Sequence, residues 1–259
     1  MTGQRLQPQP AYRRVVVKIG SNVLTGGTEQ IDTAAMGALA EQIAALVGQG
    51  VQVIAVTSGA VAAGRHRIRA HHDAKALPAR DVQSRQVLAA IGQSRLMALW
   101  DQLFEVHDVP IAQALLTRRD LVDRLGYLNA RNTLLGMVEL GVVPIVNEND
   151  VVSVEELREF TIGDNDNLSA QVANLVDADL LLILSDIAGL YTADPNRDPD
   201  ARLIEEVATI DDSIVTIAGG TAGARGTGGM ATKVQAARIA TQGGTHVVIA
   251  AGAARDVVL

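Results

Sequence analysis

Six short runs of branched apolar residues recur along the 259-residue chain without regular polar alternation. They are Val15 to Ile19, Val51 to Val56, Val109 to Leu115, Val142 to Val146, Leu180 to Leu184 and Val247 to Ile249. A strand that is apolar at successive positions has to be covered on both faces, which is the condition of a parallel sheet held between helices. Alanine- and leucine-rich stretches with helical spacing lie between the runs: Thr33 to Val47, Gln83 to Val106, Leu128 to Leu140, Leu168 to Val176 and Ala231 to Gln242. Gly50 and Gly141 stand where two of these helices should stop. The alternation predicts an α/β fold, a three-layer αβα sandwich with a mainly parallel central sheet. In such sheets ligands collect at the carboxyl ends of the strands.

The first residues, with Pro8, Pro10 and several glutamines, have the composition of a disordered tail. We expect a tail over 1–12 and one domain over 13–259. Two segments break the alternation. Val151 to Thr161 carries Glu155, Glu156 and Glu159 and is expected as an exposed hairpin or flap over a site. Gly219 to Gly229 is too rich in glycine for a regular element.

Composition narrows the partners. Aromatic residues make up only 2% of the chain, so few rings are available for stacking bases, and a net charge of −7 opposes a broad polyanion surface. No nucleic acid is expected. The chain has no cysteine, no signal-peptide layout at its start and no apolar run long enough to span a bilayer. A cytoplasmic protein with small-molecule partners and no membrane association is the expectation.

The cations are unevenly chosen. Three lysines stand against nineteen arginines, and two of the three lie in glycine-flanked motifs: Lys18 in Val15-Val-Val-Lys-Ile-Gly-Ser21 and Lys233 at the end of Gly226-Thr-Gly-Gly-Met-Ala-Thr-Lys233. A compact ammonium can follow a migrating phosphoryl group, whereas a planar guanidinium forks onto fixed oxygens. Gly20 and Ser21 after Lys18 would let backbone amides and a hydroxyl approach an anion. The second strand runs into Thr57-Ser-Gly-Ala60, where Ser58 and Gly59 begin a helix and could hold a carboxylate or phosphate. Ser58 as a plain N-cap is the structural alternative. The glycine-rich stretch is not a Walker A loop, because Thr232 rather than glycine precedes Lys233, and no dinucleotide fingerprint follows the first strand.

Carboxylates and amides cluster in two places, Asn147-Glu-Asn-Asp150 after a strand and Gly163-Asp-Asn-Asp-Asn167 before a helix. Each is an ordinary turn or cap composition taken singly. Together they could bind an α-ammonium, orient the lysines and help organise a magnesium ion carried by nucleotide phosphates. Ser185-Asp-Ile-Ala-Gly-Leu-Tyr191 follows the most apolar strand and could line a nucleotide pocket, while Asp194-Pro195 reads as a turn. His66, His71 and His72 fall in a basic stretch from Arg65, expected as a solvated loop.

These motifs, with Thr57-Ser-Gly-Ala-Val-Ala-Ala-Gly64, Ala90-Ile-Gly-Gln93, Tyr127-Leu-Asn-Ala-Arg131 and Gly189-Leu-Tyr-Thr-Ala-Asp-Pro195, together resemble the amino acid kinase family in its glutamate kinase branch. The likeness runs from Val15 to Gly252. It implies ATP-dependent phosphorylation of the side-chain carboxylate of L-glutamate to L-glutamyl 5-phosphate, the opening step of proline synthesis, with Mg²⁺ carried mainly on ATP. Carried over by motif, Lys18 and Lys233 stabilise the transferring phosphoryl group and Asp166 orients them. Ser58, Asp150 and Asn165 resemble the glutamate site. Lys18, Ser185, Asp186, Thr227, Gly228, Gly229, Met230, Ala231, Thr232 and Lys233 resemble the ATP site. A homo-oligomer, dimer or tetramer, is also implied, as is feedback inhibition by proline. Two departures bear on this. The chain ends at Leu259 without the C-terminal PUA domain that many members carry, and Arg65 to Arg80 is longer and more basic than the compact loop of the family pattern. Kinases of another carboxylate, of carbamate or of a nucleoside monophosphate share the fold, and a non-catalytic amino-acid or nucleotide sensor would keep the pocket.

Overall fold

The computed structural model of the chain describes residues 10–71, 82–153, 165–195, 197–219 and 228–259. Six parallel strands form one sheet in the order β3-β4-β2-β1-β5-β6. They are β1 (Arg14–Ile19), β2 (Gln52–Thr57), β3 (Ile111–Leu116), β4 (Val143–Glu148), β5 (Leu180–Ser185) and β6 (His246–Ala251). Each falls on one of the six apolar runs, shifted by a residue or two at the ends. The four inner strands are almost wholly buried, whereas the edge strands β3 and β6 are partly open.

Strand periodicity divides the core into two layers. Val15, Val17 and Ile19 of β1 point to one face, where they meet α2 (Thr33–Gly48) and α4 (Val82–Glu105) through Met36, Leu39, Ile43, Leu96, Trp100 and Phe104. Val16 points to the other face, against α6 (Arg124–Glu139), α7 (Asn165–Leu175) and α9 (Gly228–Gln242). The result is the three-layer αβα sandwich. Gly50 and Gly141 follow α2 and α6 with φ of +84° and +76°, the left-handed exit that glycine takes without a Cβ penalty. A third, smaller cluster joins Leu190, Ala218 and Val234, beneath α8 (Asp212–Gly219) and the start of α9.

One expectation needs correction. Arg65 to His71 is not a loop but the second half of helix α3 (Ala60–His71), with Arg67 and Arg69 exposed and Arg69 paired to Glu29. The helix expected after Thr57-Ser-Gly-Ala60 thus runs further than its polar composition suggested, because its buried stripe is made of small residues. A Cβ built on Gly64 would lie 1.9 Å from the Leu88 carbonyl oxygen, and one on Gly92 would lie 1.8 Å from that of Ala60. Helices α3 and α4 therefore cross backbone to backbone, a contact only glycine allows at both positions.

Three short or polar helices also lay beyond the sequence patterns. Helices α1 (Ser21–Thr25) and α5 (Arg118–Val122) are too short to show a period, and α8 announces itself only through Asp211, whose carboxylate accepts from Ser213 and Ile214 amides. The expected flap is described only over Val151 to Ser153; the rest lies outside the described residues, as does most of Gly219 to Gly229. Tyr12, counted in the expected tail, packs against the first core cluster and meets the His246 ring edge-on at 5.8 Å. Among the described residues no helix is long and apolar enough to cross a membrane.

Candidate active site

Lys18 lies one residue before the end of β1, on the same face of the sheet as Val16. That face carries α7 and α9, so the ammonium is directed towards both helices. Asp166 is the second residue of α7, where the free amides and positive end of the helix favour a carboxylate. Lys18 Nζ sits 2.5 Å from Asp166 Oδ1, and Lys233 Nζ, one turn into α9, sits 3.3 Å from Oδ2. Lys18, Asp166 and Lys233 are only 5%, 2% and 8% exposed. Burial alone would raise the Asp166 carboxyl, but the two ammoniums and the Thr232 hydroxyl outweigh it and hold the group below the ordinary carboxylate range. Asp166 therefore stays ionised between two cations.

Thr232 donates to Asp166 Oδ2 at 2.8 Å, and Lys233 Nζ also donates to the Gly229 carbonyl at 2.9 Å. Both contacts fix the carboxylate and the second ammonium from α9. On the far wall, Asp186 follows β5 and accepts from Asn22 Nδ2 at 2.9 Å and from Ser185 Oγ at 3.0 Å. Partial burial raises its carboxyl, and the Asn22 and Ser185 donors, its own backbone amide and the Lys233 ammonium together outweigh that, so it too is held below its ordinary range. Gly20, the turn between β1 and α1, has no room for a side chain without crowding: a Cβ there would lie 3.3 Å from the Leu184 carbonyl and 3.4 Å from Lys18 Nζ.

These groups enclose one cavity of about 330 Å³ at the carboxyl ends of β1, β2 and β5. Of the residues singled out in the sequence, Lys18, Gly20, Ser21, Ser58, Asp166, Ser185, Asp186, Gly229, Thr232 and Lys233 line it. Asn165 lies behind Ser58, donating from Nδ2 to Ser58 Oγ at 2.9 Å and to the Thr57 carbonyl at 2.8 Å. Asp150 lies two residues past β4, half-buried. Gly228 opens α9, Met230 packs into the third core cluster, and Ala231 is exposed without lining the cavity. Thr227 falls outside the described residues.

Gly59 adopts a φ of +98° and makes the sharp exit from β2. The Ser58 amide is not offered to a ligand, because it donates to the Ile19 carbonyl at 3.1 Å and extends the β1–β2 ladder. Ser58 presents its hydroxyl instead. Asn147, from the cluster after β4, accepts from Asn165 at 3.0 Å, and two residues given no role in the sequence also build the site: Asn22 holds Asp186, and Gln93 accepts from Asn147 at 2.8 Å. Both are uncharged amides, Gln93 inside a quoted motif and Asn22 just past one, and only their position in the fold distinguishes them.

A carboxylate gripped by two ammoniums, with a hydroxyl and an amide chain to one side and Ser185 and Asp186 to the other, is an anion-handling site with two chemically distinct ends. The sequence profile of the Amino acid kinase family matches residues 13–251. The chain belongs to this family. Within it, the chain is similar to the glutamate 5-kinase of Dehalococcoides mccartyi, with 56% identity over 248 residues, 96% of this chain and 65% of that protein. It is also similar to the glutamate 5-kinase of Herpetosiphon aurantiacus, with 54% identity over 243 residues, 93% of this chain and 63% of that protein. This family member thus spans slightly less than two thirds of the length of those relatives. A solved structure, the carbamate kinase from Giardia lamblia bound to AMP-PNP, matches the fold with a TM-score of 0.65 at 18% identity, covering 95% of this chain and 94% of that one.

Proposed function

We propose that the chain transfers the γ-phosphoryl group of ATP to the side-chain carboxylate of L-glutamate, forming L-glutamyl 5-phosphate at the start of proline synthesis in the cytoplasm. The observation that carries this reading is the buried pair of ammoniums on the two oxygens of Asp166, at the strand ends of an amino acid kinase fold. The names of the similar proteins supply the substrate, and the nucleotide analogue in the carbamate kinase supports ATP as donor.

In this reading a glutamate carboxylate oxygen forms the new bond to the γ-phosphorus while the bond to the β,γ-bridging oxygen breaks and ADP leaves. The attacking group is already ionised, so no base is required. The difficulty is bringing anions together, and the chain answers it with alignment and fixed positive charge. Lys18 and Lys233 stabilise charge on the transferring group, and Asp166 holds both lysines in place. Ser58, Asp150 and Asn165 orient glutamate. Ser185, Asp186 and the segment from Thr227 to Lys233 hold ATP.

Mg²⁺ would ride mainly on the ATP phosphates, offsetting their charge. The donor set fits that arrangement: both Asp166 oxygens face lysines and both Asp186 oxygens face Asn22 or Ser185. Among the described residues no three His, Cys, Asp or Glu side chains converge as a metal cage.

A coupled assay of ADP release across L-glutamate, L-aspartate, N-acetylglutamate and UMP, with and without proline, tests the proposal. ADP release confined to L-glutamate, and reduced by orders of magnitude in Lys233→Ala, is the expected result. Turnover with another acceptor, or none with any, would refute it.

A further inference from the structure

Behind Ser58, three side-chain amides from separate elements form one hydrogen-bonded chain. Gln93 of α4 accepts through Oε1 from Asn147 Nδ2 at 2.8 Å, and Asn147 accepts through Oδ1 from Asn165 Nδ2 at 3.0 Å. An amide can usually be turned end for end, exchanging oxygen for nitrogen, but this chain cannot. At its centre the Glu148 backbone N–H donates to Asn147 Oδ1 at 2.9 Å, so that atom must be the oxygen. At one end Asn165 Nδ2 donates to the Thr57 carbonyl at 2.8 Å, so that atom must be the nitrogen. Two backbone groups of fixed polarity therefore set the direction of the chain. Gln93, whose oxygen must face Asn147 Nδ2, closes it.

The closure leaves Asn165 Oδ1 and Gln93 Nε2 buried and unpaired among the described residues. An orphaned buried polar atom costs about 1–3 kcal/mol, so a folded protein keeps one only with a reason. Asn147 itself is 2% exposed and stands at the end of β4, next to β2 and Ser58.

Gln93 reaches this point because of the glycine crossing. Its neighbour Gly92 lets α4 lie directly on α3, and a Cβ at Gly92 would meet the Gly64 amide nitrogen at 2.4 Å as well as the Ala60 carbonyl. Two turns earlier on α4, Gln86 Nε2 donates to the Ser153 carbonyl at 3.0 Å, while Ser153 Oγ donates to Glu148 Oε1. Helix α4 thus clasps the carboxyl end of β4 at two points.

We propose that Gln93 is a positioning residue of the amino-acid subsite. Its Oε1 accepts the Asn147 Nδ2 proton that the backbone leaves over, and through Asn147 it steadies Asn165, whose nitrogen lies on Ser58. Without that oxygen, the Asn147 Nδ2 protons lose their acceptor inside the protein, so that Asn147 is held only through its Oδ1 and Asn165 is positioned less firmly beside Ser58. This rests on the glutamate kinase reading above, and the test separates the two.

The experiment compares the full chain with Gln93→Met, near-isosteric and without an accepting oxygen, after circular-dichroism melts confirm folding. The expected result is a rise of about tenfold in the apparent KM for L-glutamate, the scale of one buried hydrogen bond, with the KM for ATP and kcat within about twofold. Adding Gln93→Met to Asn147→Ala should change the glutamate KM no further, since the route through Asn147 is already cut. Gln93→Glu, which keeps an oxygen facing Asn147, should hold a lower glutamate KM than Gln93→Met and carries the test alone if the methionine variant does not fold. An unchanged glutamate KM in Gln93→Met, effects that multiply in the double variant, or a glutamate variant worse than methionine would each overturn the proposal. Failure of the unmodified chain to phosphorylate glutamate would overturn the kinase reading instead.

Discussion

Replacing Asp166 with asparagine removes the negative charge on which Lys18 and Lys233 converge and leaves the shape almost unchanged. Lys18, Lys233 and Asp166 together carry a charge of +1 in the wild type; in the variant the two ammoniums face a neutral amide. All three residues are less than 10% exposed, so water cannot replace the lost partner. Removing one member of a buried ion pair costs about 3–5 kcal/mol, because a buried charge is left uncompensated. At roughly 2–4 °C per kcal/mol for a domain of this size, Asp166→Asn should lower the melting temperature by roughly 6–20 °C at neutral pH. The sign with pH follows from the depressed carboxyl of the folded state. Its stabilisation is complete above the unfolded value of about 3.9 and is lost as pH falls through the lower folded value, so the gap between wild type and variant should close in acid. Adding Lys18→Met to Asp166→Asn removes one of the two ammoniums that lost the shared carboxylate and should raise the melting temperature part of the way back. Differential scanning calorimetry of the three proteins between pH 3 and pH 7.5 reads all of this. A single variant melting within about 2 °C of wild type at neutral pH, or a double variant melting below the single, would refute the charge-balance reasoning. In the kinase assay the same variant should lose about 10²- to 10³-fold in kcat, the scale of losing a preorganised electrostatic group.

Two further outcomes follow from packing. Gly92→Ala places a methyl group 1.8 Å from the Ala60 carbonyl oxygen, which forces α3 and α4 apart; we expect about 1–3 kcal/mol of destabilisation in urea melts, together with a raised glutamate KM because Gln93 moves with α4. Arg131→Met removes the guanidinium that donates to the Leu175 carbonyl and pairs with Asp177 at the carboxyl end of α7. It should cost about 1 kcal/mol in the same melts and leave the KM for ATP unchanged, since the cap lies at the opposite end of α7 from Asp166.

Most of the architecture was legible because strand and helix periods are local. Six apolar runs became six strands, and the period of two within β1 puts Lys18 on the face of Val16. The glycines at 50 and 141 and the lysines at 18 and 233 could be picked out from composition and neighbours alone. The run of helix α3 past Gly64 could not, although its start after Thr57-Ser-Gly-Ala60 was expected, because a stripe of alanine and glycine carries almost no hydrophobic signal and its partner lies in another helix.

What the sequence determined by itself was the inventory: parallel strands, the helices between them, and two lysines set apart from an arginine-rich background. What only the tertiary structure decided was who meets whom. The strand order β3-β4-β2-β1-β5-β6 brings β1 beside β5 and β2 beside β4, so Lys18, Asp166 and Lys233 converge on one side and Gln93, Asn147 and Asn165 join on the other. The physical reason is range. Backbone sterics and side-chain period act over a few residues and leave a pattern in the chain, whereas a carboxylate shared by two ammoniums, or an amide whose direction is set by a distant N–H, exists only once the packed sheet has brought the groups within hydrogen-bonding distance.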